Sequence, residues 1–288
     1  MSNIAFIDLA RPVRPNLPET FDAPSDPSRR ASIKELLLPL FLQVGTTAQS
    51  LRADSAGFWR AGAERYWLPR FVFRGGDETG EPVIRLAIFA GLHGDEPAGV
   101  LAVMDLLREL EATPFMGRAY RIHIYPLCNP TGYEDGTRHA RSGRDLNREF
   151  WRGSLEPEVA LLERELLTHK FHGIISLHSD DTSDGLYGFV RGATLTEHLL
   201  KPALAAAEAA LPVNQAAIID GFHAVDGIIR TAYDGILSAP PGHSPEPFEI
   251  ILESPHHAPM ELQRRAFMLA LMEILRHYRR MISYAADI

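Results

Sequence analysis

The sequence predicts an α/β fold in which a twisted, mostly parallel or mixed sheet is covered by helices on both faces. Three observations predict it. Short apolar runs of strand length alternate along the chain with longer stretches of helical periodicity. The chain has 288 residues, of which 45% are hydrophobic, enough to bury a sizeable core in one large domain. No internal repeat or low-complexity tract suggests another architecture.

Residues 1–30 (ending DAPSDPSRR) are rich in Pro, Asp, Ser and Arg and read as an extended lead-in, leaving 31–288 as a single domain. SIKELLLPLFLQ, Ser32 to Gln43, reads as a short amphipathic helix with Ser32 as N-cap and Pro39 as an interruption. RYWLPRFVF (65–73) and VIRLAIF (83–89) read as strands separated by the turn GGDETGEP. Ala98–Glu111 has helical periodicity, Arg121–Leu127 alternates like a strand, and Glu156–Lys170 is helical. Gly173–Leu177 suits a buried strand, Leu195–Leu211 a helix, Phe248–Leu252 a strand and Met260–Met281 a long closing helix. Asp234–Pro247 reads as a surface loop, and the first 80 or so residues could complete the sheet, cover its edge or mediate oligomerisation.

Composition excludes several classes. Net charge is −8 with both signs dispersed, so nothing resembles the basic block that grips a phosphate backbone, and no nucleic-acid partner is expected. No apolar run reaches the roughly 20 residues of a membrane span, and the start is a poor signal peptide; the expectation is a soluble cytoplasmic protein. The single cysteine, Cys128, precludes an internal disulfide and reads as an inert buried thiol.

The chemistry concentrates at strand ends. In IFAGLHGDEPAG (88–99) an apolar run stops at Ala90, Gly91 and Gly94 allow a tight turn, and a helix starts near Pro97. His93 and Glu96 therefore lie beyond the carboxyl end of a strand, where open α/β sheets bind ligands. A His2Glu zinc site leaves a fourth position for water. With 12 histidines in the chain, a lone His-x-x-Glu would be a surface hydrogen bond, but His178 follows the run IISL and Glu253 ends FEIILE. A carboxylate terminating an apolar run is costly unless paired, metal-linked or catalytic. Between them, NPTGYEDGTRHARSGRDLNREF (129–150) reads as a long polar loop, and such loops in compact domains tend to be functional. Arg138, Asn147 and Arg148 could supply oxyanion donors and a fork for a carboxylate, whereas Arg141, Arg144 and Arg152 read as solvent-facing or ion-paired. Asp95, Asp180 and Asp181, which could extend the site to two metals, and His223, His243, His256 and His257 read as loop or surface groups.

HGDE, NPTGYEDGTR, GRDLNREF, SLHS and ILESP follow one another over residues 83–280. In that order they resemble the zinc carboxypeptidase superfamily, nearer its bacterial peptide-trimming, murein peptide amidase-like members and related to the succinylglutamate desuccinylase/aspartoacylase type. The resemblance implies a carboxypeptidase-like three-layer α/β/α fold and a Zn2+ cofactor held by His93, Glu96 and His178. It implies Glu253 as the general base and acid, Arg138 as the group polarising the scissile carbonyl, and Asn147 with Arg148 as the clamp on a substrate carboxylate. The family's mobile tyrosine has no clear counterpart; Tyr233 is the nearest. The implied activity is release of a C-terminal residue from a small peptide. The alternative is an N-acyl amino acid amidohydrolase, and a third reading keeps the fold as a non-catalytic binding protein. Arg138 stands nine residues before Asn147, an interval like that of the peptide-trimming members and longer than that of the aspartoacylase type.

Overall fold

Residues 31–46, 50–76, 83–193 and 196–285 are described by the computed structural model. The lead-in expected over 1–30 and most of the GGDETGEP turn lie outside them. Helix α1 (Ile33–Thr46) begins as its sequence predicts: Ser32 Oγ accepts the Glu35 N–H at 3.2 Å, and Leu37 and Leu40 are fully buried. Pro39, midway along it, does not interrupt it; the helix continues past the backbone donor that proline lacks.

Strands β1 (Leu51–Ala61) and β2 (Glu64–Arg74) form an antiparallel hairpin that completes the sheet. β1 left little pattern because it is an edge strand with charges at Arg52, Asp54 and Arg60. β3 (Ile84–Ala90) leads into α2 (Ala98–Ala112), a short α3 (Pro114–Gly117) and β4 (Tyr120–Tyr125). The expected loop over 129–150 contains α4 (Pro130–Asp135) and a 3-10 turn at Leu146–Arg148. α5 (Pro157–His169) precedes β5 (Gly173–Asp180). β6 (Tyr187–Gly192), α6 (Glu197–Ala207), β7 (Ile218–Ile219), β8 (Phe222–Val225) and β9 (Ile228–Ile229) follow. β10 (Phe248–Pro255) and α7 (Met260–Ala285) close the described chain. Strands of two to four residues are too short to leave a period-two signal, which is why β7 to β9 were not foreseen. The expected loop over 234–247 has no helix or strand, yet Ile236 and Leu237 are buried within it.

The ten strands form one mixed sheet in the order β1-β2-β4-β3-β5-β10-β6-β9-β8-β7. Its centre, β4-β3-β5-β10, is parallel, so those four carboxyl ends open on one side. Alternate residues face opposite layers. Leu86, Ile88, Ile175, Leu177, Ile250 and Leu252 pack with α2, α6 and α7. Ala87, Phe89, Tyr125 and Ile174 pack with α5 through Val159, Leu162 and Leu166. This is the three-layer α/β/α arrangement the resemblance implied.

Two buried polar groups bear on the site from outside it. Ser179 and Ser254 are partners in the β5–β10 register, 3.0 Å apart through their hydroxyls, and both donate to Gln263 Oε1 on α7 at 3.1 and 2.8 Å. Gln263 Nε2 donates in turn to the carbonyls of His256 and Ala258. Gln263→Leu would leave two hydroxyls and two carbonyls without this partner. It should cost about 1–3 kcal/mol in denaturant unfolding, and an unchanged midpoint would contradict the role assigned to the network.

Glu158, buried at the start of α5, lines a cavity of about 640 Å³ behind α4. Burial, reinforced by the charge of Glu156, pushes its carboxyl up to about 7 from an ordinary 4.5. A raised acid is protonated in the folded state where the unfolded chain is already ionised. Its stabilising contribution is therefore complete below pH 4.5 and is lost as pH rises through about 7. Glu158→Gln should flatten the stability–pH curve across that window by about 3 kcal/mol, checked by urea unfolding at successive pH values.

Candidate active site

His93 and Glu96 sit on the tight turn after β3, and the turn is pinned by its neighbours. Gly91 takes a left-handed φ of +59° and its carbonyl accepts the Asn129 N–H. A Cβ on Gly94 would stand 2.0 Å from the Gly132 carbonyl carbon, so only glycine allows this turn to lie against α4. Asn129 caps α4 through the Gly132 N–H and, with its side-chain amide, holds the Arg138 carbonyl at 3.2 Å. The turn carrying two candidate ligands and the loop carrying Arg138 are thus built against each other.

His178 lies within β5 and Glu253 within β10, so neither follows the end of its strand as the sequence suggested; each strand runs at least two residues further in the paired register. The two are direct partners in parallel strands, and their side chains therefore share a face.

On that face His93 Nδ1 lies 2.7 Å from Glu96 Oε1, and His178 Nδ1 lies 3.1 Å from Glu96 Oε2 and 3.2 Å from His93 Nδ1. All three residues are at least 97% buried. His93 Nε2 faces Asp145 Oδ1 at 3.2 Å, which favours the proton on Nε2 and leaves the Nδ1 lone pair turned inward. Lone pairs of an imidazole and a carboxylate then face each other, an arrangement that a cation between them satisfies. Two imidazoles and a carboxylate suit zinc, and one donor atom from each of His93, Glu96 and His178 lies within 4.8 Å of the others.

The electrostatics are those of a cation site. Burial would raise the Glu96 carboxyl, but His93 and His178 outweigh it and hold it well below the ordinary range. Burial lowers His93, and the carboxylates of Glu96 and Asp145 more than reverse this. Burial also works to raise Asp145, and its bond to His93 with the charges of Arg138 and Arg148 holds it far down. Glu253 behaves oppositely: burial, then the charges of Glu96, Asp180 and Asp220, push it well above the ordinary carboxylate value. Of two carboxylates on one face, Glu96 is kept ionised while Glu253 holds its proton readily.

Arg138 is 43% exposed at the mouth of the site, 3.4 Å from Glu96 Oε1 and 3.3 Å from Asp145 Oδ2. Asn147 Oδ1 accepts the Leu237 N–H at 2.9 Å, which turns its other side-chain atom, an NH2 donor, to different use. Arg148 donates to the Asn147 carbonyl at 2.8 Å, and its guanidinium lies 4.2 Å over the Tyr233 ring. Tyr233 OH donates to Asp220 at 2.9 Å. The structure thus joins His93, Glu96, His178 and Arg138 by direct contacts, pairs Glu253 with His178 and places Tyr233 against Arg148.

Asp145 is the residue that sequence reasoning passed over. It binds His93, Arg138 and the Asn147 N–H together, and the signal was its place two residues before Asn147 in GRDLNREF. Asp180, read as a loop acid, instead lies in β5 and accepts the Tyr187 OH at 2.9 Å. Arg141 pairs with Glu64, Glu134 and Asp135, and Arg144 with Glu149. Cys128 is fully buried with its thiol pKa pushed up, and His223, His256 and His257 are exposed.

Residues 82–220 match the model of the succinylglutamate desuccinylase/aspartoacylase catalytic domain. A candidate metallopeptidase from Shewanella denitrificans superposes with TM-score 0.68 at 22% identity, covering 85% of this chain and 90% of that one. A metallo-carboxypeptidase from Burkholderia cenocepacia gives TM-score 0.66 at 18% identity, with 88% and 70% covered. The Pseudomonas aeruginosa metallo-carboxypeptidase in complex with (2-guanidinoethylmercapto)succinic acid gives 0.63 at 16%, with 85% and 68% covered. At these identities the structural likeness establishes the fold. No curated protein matches the chain in sequence. Among the described residues no helix is long and apolar enough to cross a membrane.

Asp145→Asn retains the shape but weakens the hold on His93 and Arg138. Metal affinity should fall about 10–100-fold in a competition titration with a chromogenic chelator, and an unchanged affinity would remove Asp145 from the site's support.

Proposed function

We propose that this protein is a zinc-dependent hydrolase that cleaves an amide bond next to a free carboxylate, releasing the C-terminal residue of a small peptide. The observation that carries the reading is the pairing of Glu253 with His178 in the β5–β10 register. It sets a carboxylate of raised proton affinity beside three converging candidate metal donors.

His93, Glu96 and His178 would hold the ion, which when bound supplies a Lewis acid for the carbonyl and makes water a nucleophile near neutral pH. Glu253 takes the proton of the attacking water and passes it to the leaving amine. Arg138, free enough at the mouth of the site to turn toward substrate, donates to the oxyanion as it develops. Arg148 and the Asn147 amide grip the substrate carboxylate, and Tyr233 stacked on Arg148 keeps the guanidinium in place.

A second reading has its own support. The match of residues 82–220 is to a family named for succinylglutamate desuccinylase and aspartoacylase, which favours an N-acyl amino acid as substrate. Both readings require the same carboxylate clamp and the same base; they differ in what lies on the acyl side.

Dipeptides and N-acyl amino acids assayed side by side with zinc-loaded protein decide between them, and turnover of neither would overturn the proposal. Glu253→Gln should keep its zinc while losing at least about 100-fold in kcat. Turnover at the unsubstituted rate would sink the assignment of the base.

A further inference from the structure

A second group of metal-binding side chains lies outside the catalytic site. We propose that His123, Glu165 and His169 form a second divalent-metal site, of the zinc, cobalt or nickel type, that ties β4 to α5. One donor atom from each of the three lies within 4.8 Å of the others. His123 projects from the middle of β4 toward the α5 layer, and its ring stands 4.3 Å from that of His169. Glu165 and His169 are four residues apart on α5, the spacing that places two side chains on one helix face. Two imidazoles with one carboxylate is a transition-metal donor set, poorly suited to calcium or magnesium.

The observation that points to a ligand is His123 itself. It is 5% exposed, and its Nδ1 is buried without a hydrogen-bond partner among the described residues. Buried polar atoms are nearly always satisfied, and one that is not calls for a missing partner. Burial and the charges of nearby groups push the His123 pKa down to about 3, so the ring is neutral at physiological pH and one of its nitrogens offers a lone pair. His169 is 25% exposed and gives the cluster access to solvent.

Arg70 is the competing cation. Its Nη1 lies 2.6 Å from Glu165 Oε2 and 3.4 Å from His169 Nε2, and its Nη2 pairs with Asp54. Tyr125 OH also donates to Glu165 Oε2, at 2.7 Å. Asp54 and Glu165 face the three guanidiniums of Arg70, Arg74 and Arg121, so a divalent ion fills no charge deficit here and must displace Arg70 from Glu165. That competition makes this the weaker of the two sites.

Metal-stripped protein titrated with Co2+, followed by visible absorption and calorimetry, tests the proposal. The unsubstituted chain should take up two equivalents, the second more weakly. The double variant His93→Ala, His178→Ala should keep the weaker equivalent, and His169→Gln should keep the tighter one alone. Arg70→Gln, which removes the competing charge, should tighten the weaker equivalent. A single equivalent in the unsubstituted chain, or two in folded His169→Gln, overturns the site. Neither result depends on turnover, so the catalytic reading and this one fail separately.

Discussion

The parallel register of β5 against β10 is the constraint on which the candidate site depends. Because Glu253 faces His178 across that pair, Ser254 must face Ser179, and the two pairs point to opposite layers. One face receives the chemistry. The other receives a sealed network of two hydroxyls and the Gln263 amide, which joins both strands to the start of α7. A slip of one residue would turn Glu253 into the α2–α6–α7 layer and bring Leu252 or Ser254 into its place. The buried network therefore helps to fix the register that sets Glu253 beside His178.

The second organising feature is the division of charge. Glu96 and Asp145 sit among imidazoles and guanidiniums, which favour their ionised forms; Glu253 sits among carboxylates, which raise its affinity for a proton. Asp145 links these halves, since the same carboxylate orients His93 and anchors Arg138. The proposed hydrolysis of an amide needs both a cation binder and a proton carrier within reach of one bond, and elements remote in sequence would supply them from a single face.

Much of this was legible in the sequence because it is written locally. His93 and Glu96 occur on a Gly-punctuated turn, and His178 and Glu253 occur inside apolar runs where a polar group is costly. The central strands and longer helices were readable from periodicity alone. What escaped was written in tertiary contacts. β1 is an edge strand whose charges hide its alternation, and β7 to β9 are too short to have one. The partnership of Asp145 with two site residues, the stacking of Tyr233 on Arg148 and the convergence of His123 on α5 all join distant positions, for which spacing carries no signal.

The most direct test of the central claim is an anomalous-scattering experiment at the zinc edge on crystals of protein purified without chelator. The account predicts a peak coordinated by His93 Nδ1, the Glu96 carboxylate and His178 Nδ1, with Glu253 beside it. Zinc-replete crystals with no peak between those three side chains would contradict it.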